Sequence, residues 1–103
     1  MKANIAIPQQ QIADYCRRWK ISEMALFGSV LRKDFQPDSD VDVLVRFQAD
    51  ARHTLFDMVR MQEDLKRILG REVDLVSRRG IERSRNHFRR KAILESAEVV
   101  YGA

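Results

Sequence analysis

The sequence predicts an α/β (α+β) domain in which a small mixed β-sheet of three to four strands is flanked by helices. Short apolar runs of strand length alternate along the chain with segments of helical periodicity, in the order α-β-α-β-α-β-α. The connection between the first two strands is too short for a full crossover helix, which favours an antiparallel pair and hence a mixed sheet. A length of 103 residues suits one hydrophobic core, so residues 1–103 are expected to form a single domain.

The first predicted element is a helix over residues 8–20. Pro8 is favourable in the first turn of a helix, where its missing N–H group costs no hydrogen bond. An apolar stripe at positions i, i+3, i+4 and i+7 consists of Ile12, Tyr15, Cys16 and Trp19. Because Cys16 and Trp19 lie on this stripe, both are expected to pack in the core.

Two strands separated by a tight connection are predicted next. Residues 24–27 form a short apolar run that ends at Gly28, and residues 29–34 have the length of a short helix. The segment 36–39 carries strong turn chemistry, and residues 40–47 alternate in polarity as a strand does. The two predicted faces of that strand are Val41, Val43, Val45 and Phe47 on one side and Asp40, Asp42, Leu44 and Arg46 on the other.

The second half of the chain predicts two helices around a third strand. Thr54 can cap a helix that ends at Gly70, and residues 72–77 form the strand. The helical spacing of the first helix is carried by Leu55, Met58, Val59, Gln62, Leu65, Ile68 and Leu69. A basic helix is predicted over residues 81–97, with an extended segment at 99–101. The side chains that this basic helix is expected to bury are Ile81, Phe88, Ala92 and Leu94.

The charge of the chain is unevenly distributed. The formal net charge is +4, and the segment from Arg78 to Lys91 contains seven basic residues and one acidic residue. Such a block can contact nucleic acid, a nucleotide or an acidic protein, or it can be a solvated helix face. The single cysteine excludes an internal disulfide, and neither a membrane span nor a signal peptide is recognisable. We therefore expect a cytoplasmic protein without membrane contact.

Three carboxylates fall on predicted strands. Asp40 and Asp42 stand at i and i+2, so both side chains leave the same face of a strand. Asp74 joins them if its strand neighbours theirs, and it could also help to remove the proton of an attacking hydroxyl. Hard oxygen ligands suit Mg²⁺ or Mn²⁺, and two such ions can stabilise the attacking and leaving oxygens of an in-line displacement.

A Gly-Ser pair supplies the features of a phosphate site. Gly28 lets the backbone approach a phosphate closely because it has no Cβ atom. Ser29 adds a hydroxyl and the N–H groups of a helix start, and Arg32 adds a cation one turn later. Each motif alone is weak, but together they predict a nucleotidyl-transfer site with ATP as the substrate.

The motif as a whole resembles that of the DNA polymerase β nucleotidyltransferase superfamily, and in particular its minimal nucleotidyltransferases (MNT). The matching residues are Gly28-Ser29, then Asp40-Val41-Asp42 after ten intervening residues, then Asp74. The resemblance extends from the first helix to Tyr101. Lys33 departs from it, because family members commonly have a small residue after the arginine of the turn.

The resemblance implies a polymerase β-like fold and a role for each matching residue. Gly28 and Ser29 would bind the triphosphate. Asp40 and Asp42 would hold both metal ions. Asp74 would hold one of these ions and orient or deprotonate the acceptor hydroxyl.

The resemblance also implies a partner. Minimal nucleotidyltransferases are commonly encoded beside an all-helical HEPN toxin and act as its antitoxin in a type VII-like pair, transferring AMP from ATP to a tyrosine of the toxin. This implies a hetero-oligomer, and it agrees with the absence of residues for a substrate-binding domain after the catalytic core. Two alternatives stay open: a nucleotidyltransferase acting on a small molecule or RNA, and a non-catalytic antitoxin that binds through residues 78–91.

Overall fold

The computed structural model describes residues 5–36 and 38–102. In chain order the elements are α1 (Gln9–Arg18), β1 (Ile21–Phe27), a 3₁₀ helix (Gly28–Leu31), β2 (Val41–Phe47), α2 (Leu55–Leu69), β3 (Val73–Ser77), α3 (Arg78–Glu82), α4 (His87–Ser96) and β4 (Glu98–Gly102). The predicted turn at 36–39 includes Pro37, which lies outside the described residues. None of the helices in the described part of the chain has the length and apolarity to cross a membrane.

The described strands form a four-stranded mixed sheet in the order β3-β2-β1-β4. Strand β1 is antiparallel to both β2 and β4, whereas β2 and β3 are parallel. The short connection between β1 and β2 therefore forms the antiparallel pair that the sequence predicts. In this register Phe27 lies opposite Asp42, so the end of β1 adjoins the start of β2.

Helices cover both faces of the sheet. On one face, Val41, Val43 and Val45 are fully buried and pack against α1 and α2. The two helices are joined where the Tyr15 hydroxyl donates a hydrogen bond to the Met61 carbonyl at 3.0 Å. The opposite face carries a smaller apolar cluster that contains Ala25, Phe27 and Leu44 of the sheet with Ile81 of α3 and Ile93 of α4. Cys16 is buried in the larger cluster and Trp19 packs against it, as predicted.

Local side-chain chemistry fixes both ends of α2. Thr54 accepts a hydrogen bond from the backbone of Asp57, whose carboxylate accepts one from the Thr54 N–H group, so the pair forms a capping box. The helix stops at Gly70, which is left-handed with φ = 68°. Leu55 and Val59, which follow the predicted helical spacing, are nevertheless 80% and 61% exposed.

The predicted single basic helix over residues 81–97 is wrong. The segment folds as two helices, α3 and α4, separated by a short loop in which Asn86 caps the second helix by accepting from the Arg89 N–H group at 3.0 Å. This break changes which side chains α4 buries. Phe88 is 89% exposed, Ala92 is also exposed, and Ile93 is buried instead.

Candidate active site

Two carboxylates stand side by side at one end of the sheet. Asp42 on β2 and Asp74 on β3 are direct register partners on parallel strands. Side chains alternate along a strand, so Asp42 lies on the same face as Leu44, which packs in the smaller apolar cluster with α3 and α4. The acidic pair therefore occupies the sheet face that α3 and α4 cover.

Asp42 lies in an environment that disfavours its ionised form. Burial raises the pKa of the half-buried Asp42 carboxyl, and the negative charges of Asp74 and then Asp40 raise it further. The positive charges of Arg89 and Arg32 oppose this shift. The ionised form of Asp42 is therefore disfavoured, and a bound cation would stabilise it.

Asp40 lies beside the strand rather than within it. Strand β2 begins at Val41, so the predicted strand over 40–47 is one residue too long, and Asp40 is exposed in the preceding loop. Across residues 5–36 and 38–102, no three His, Cys, Asp or Glu side chains form a ready-made metal site. The charges of Asp40 and Asp74 act on Asp42, but in the described part of the chain the three side chains do not form a complete set of metal ligands.

The turn after β1 lies directly against Asp42. Gly28 has a positive φ of 78°, and a Cβ atom at this position would stand 2.4 Å from Oδ2 of Asp42. Glycine is thus required here both by the backbone conformation and by the close approach of the carboxylate. Ser29 is half-buried in the 3₁₀ helix, which is shorter than the predicted helix over 29–34, and Arg32 follows that helix with an exposed side chain.

A cavity opens beside this turn. It has a volume of about 500 Å³ and lies between the turn and α4, lined by Gly28, Leu31, Arg32, Ala92, Glu95 and Ser96. The contribution of α4, three residues of which line the cavity, is not apparent in the sequence. Packing of the helix, which no local pattern specifies, selects the side that faces the site.

The mixed sheet, with Asp42 and Asp74 paired at one end, is the arrangement of a nucleotidyltransferase. Residues 9–100 match the nucleotidyltransferase domain family, and the chain belongs to that family. A Methanocaldococcus jannaschii protein named as a candidate protein adenylyltransferase is 32% identical over 78 residues, which cover 76% of this chain and 75% of the relative. The protein adenylyltransferase MntA of Thermococcus cleftensis is 35% identical over 65 residues, or 63% of this chain and 64% of the relative.

Solved structures agree with this membership. A candidate minimal nucleotidyltransferase superposes with a TM-score of 0.66 at 33% identity, covering 87% of this chain and 86% of its own. A toxin-antitoxin structure with AMP-PNP superposes with a TM-score of 0.70 at 21% identity, covering 94% and 75%. A complex of a tri-AMPylated HEPN toxin with its MNT antitoxin from Shewanella oneidensis gives 0.59 at 21% identity, covering 92% and 70%. The predicted resemblance to minimal nucleotidyltransferases is confirmed, and the chain is a nucleotidyltransferase.

Proposed function

We propose that this protein transfers AMP from ATP to a hydroxyl group, that of a tyrosine, on a HEPN-family toxin and thereby acts as its antitoxin. The observation that carries the proposal is the register pairing of Asp42 with Asp74 against the Gly28 turn. This arrangement puts carboxylates beside a backbone that can approach a phosphate closely. The turn could thus bind a phosphate next to the carboxylate that would hold its cation.

The acidic residues suit Mg²⁺, with Mn²⁺ as a chemically similar substitute. Asp40, Asp42 and Asp74 would hold two ions, whose chemistry when bound is to neutralise the phosphates and stabilise the charge of the displacement. Protein-bound Mg²⁺ commonly takes only one or two carboxylates and completes its shell with water and substrate phosphates. The open arrangement of the three side chains, which form no ready-made cluster in the described part of the chain, fits that mode of binding.

The chain's own residues would perform the remaining steps. Backbone N–H groups of the Gly28–Ser29 turn and the Ser29 hydroxyl donate hydrogen bonds to phosphate oxygens, and Arg32 adds positive charge. The exposed Asp74 carboxylate takes the proton of the acceptor hydroxyl. The acceptor oxygen then forms a bond to the α-phosphorus as the bond to the β-phosphate bridging oxygen breaks, and pyrophosphate leaves with the electron pair.

The partner is inferred from relatives. The Thermococcus cleftensis relative is named a protein adenylyltransferase, and the superposed complexes are described as toxin-antitoxin pairs, one of them with an AMPylated HEPN toxin. The basic segment from Arg78 to Lys91 is only partly available as a docking surface. Arg78 forms ion pairs with Glu23 and Glu82, and the Arg90 guanidinium donates to the carbonyl groups of α3 and its loop.

Nucleotide binding should be visible as thermal stabilisation. At a concentration of Mg-ATP 100 times its Kd, binding adds about 2.7 kcal/mol to the free energy of unfolding. For a domain of this size, each kcal/mol raises the Tm by about 4–8 °C. Melting curves with Mg²⁺ alone, ATP alone and both together would measure this effect. A Tm that does not respond to millimolar Mg-ATP would contradict the nucleotide site.

Transfer should be visible in the mass of the toxin. Incubation of the protein with Mg-ATP and a HEPN toxin encoded beside it should add mass increments of one AMP unit to the toxin, and peptide mapping should place them on a tyrosine. The Asp42→Asn variant should add none and still bind the toxin. An unmodified toxin in a tight, inactive complex with the wild-type protein would favour the non-catalytic antitoxin, and modification of added RNA or a small molecule would favour the other alternative.

A further inference from the structure

One side of α4 faces the candidate active site. Ala92 and Ser96, one turn apart, line the cavity together with Glu95 of the same helix and with Gly28 and Arg32. Ile93 anchors the helix in the apolar cluster that also contains Phe27, the register partner of Asp42. Helix α4 therefore forms the wall of the cavity opposite the Gly28 turn.

Arg89 belongs to this side of the helix. It precedes Ala92 by three residues and Ile93 by four, which places it on the same side of the helix and one turn earlier. Its charge acts on the Asp42 carboxylate. Among the hydrogen bonds and ion pairs found within residues 5–36 and 38–102, none uses the Arg89 guanidinium, whereas Arg90 donates to the Glu82 and Ser84 carbonyl groups.

The Arg89 guanidinium is therefore available to a ligand. A guanidinium has five N–H donors, and its geometry matches the oxygens of a phosphate in a bidentate contact. Arg89 is exposed, so no burial of its side chain explains its position. Arg32 lines the opposite wall of the cavity, and the positive charges of Arg89 and Arg32 both act on the Asp42 carboxylate.

We infer that Arg89 is a phosphate-binding residue of the nucleotide site, contacting the β- and γ-phosphates of ATP from the α4 side of the cleft. This inference rests on the proposed function, because it requires ATP to occupy the cleft beside Gly28. It assigns one residue of the basic block to the substrate rather than to a partner surface.

The test compares two arginine truncations of equal charge change. Arg89→Ala should weaken the binding of a non-hydrolysable ATP analogue with Mg²⁺ by about 10- to 100-fold, the range for charge-assisted hydrogen bonds. Its affinity for AMP, which lacks the outer phosphates, should stay unchanged. Arg85→Ala, in the exposed loop before α4, should bind both nucleotides like the wild type. Arg89→Lys should bind the ATP analogue with intermediate affinity. Isothermal titration calorimetry measures all four proteins.

The outcomes separate this inference from the function on which it rests. Wild-type affinity of the Arg89→Ala variant for the ATP analogue would overturn the inference and leave the proposed function intact. An equal loss of affinity for the ATP analogue and AMP would assign Arg89 a structural role and would also overturn it. Failure of the wild-type protein to bind the ATP analogue would overturn the proposed function and the inference together.

Discussion

Replacement of Asp42 by Asn is expected to reduce AMP transfer by at least about two orders of magnitude, the scale of losing one electrostatic group from a preorganised site. Asn keeps the shape of the side chain and its place opposite Phe27 and Asp74. It removes the charge that would hold a cation against the phosphates. The measurement is the initial rate of AMP transfer to the toxin, or of pyrophosphate release in its presence.

The same substitution should stabilise the metal-free protein, with a definite pH dependence. The folded state raises the pKa of Asp42 through burial and through the charges of Asp74 and Asp40. An acid with a raised folded-state pKa contributes stability below its unfolded pKa, and this contribution is lost as the pH rises through the folded value. The Asn variant should therefore unfold at a higher temperature than the wild type at neutral pH. This advantage should shrink as the pH falls to the range where Asp42 is protonated.

A matched control is available in the loop before β2. Asp38→Asn removes one carboxylate charge at an exposed position. Asp38 is not one of the acidic residues whose charges raise the pKa of Asp42. The transfer activity of this variant should match that of the wild type. Near wild-type transfer by the Asp42→Asn variant, with the control also active, would show that Asp42 holds no essential cation.

Elements with strong local signals were predictable from sequence. The bounds of α2 follow from the Thr54 cap and the left-handed Gly70, because both act through hydrogen bonds and backbone angles within a few residues. The strand alternation of β2 likewise predicts that Val41, Val43 and Val45 share one face, and the structure buries all three. The mixed sheet followed from the short connection after β1, a constraint of chain length alone.

The prediction of one continuous basic helix is wrong because the local signals of this segment conflict. Phe88 and Ile93 cannot both face the sheet from one uninterrupted helix through Ile81, and the apolar pattern does not say which one does. The structure resolves the conflict with hydrogen bonds between the Ser84 and Asn86 side chains and the backbone, which end one helix and begin another. Polar side chains in a loop thus determined which apolar residue is buried.

Some residues of the candidate site are likewise recognisable from the sequence, and others are not. Gly28 and Asp42 are recognisable as motif residues, and their adjacency follows from an antiparallel pair that ends where the motif lies. Arg89 has no such signal, since it lies 47 residues beyond Asp42 in a run of similar cations. Only the packing of α4 on the sheet lets the charge of Arg89 act on Asp42, and tertiary packing of that kind is not encoded in short sequence patterns.

A second large effect is expected from Gly28→Ala. The new Cβ atom would meet Oδ2 of Asp42 at 2.4 Å, so the carboxylate or the turn must move. A displacement of about 1 Å at the reacting groups can cost about 100-fold in rate. The backbone angle φ of 78° adds about 1–2 kcal/mol of strain in a residue with a side chain. We therefore expect transfer activity to fall by about 100-fold or more, together with a lower Tm.

Gly70→Ala separates the effect of backbone strain from the effect of a contact with Asp42. Gly70 has a similar φ of 68°, yet nothing lies within 4 Å of a Cβ atom built there. This variant should lose a comparable amount of stability through backbone strain and retain wild-type transfer at temperatures below its Tm. If both alanine variants lost activity in proportion to their lower stability, the close approach of Gly28 to Asp42 would have no catalytic significance. Loss of activity in the Gly28 variant alone would tie catalysis to the position of the Asp42 carboxylate against the turn.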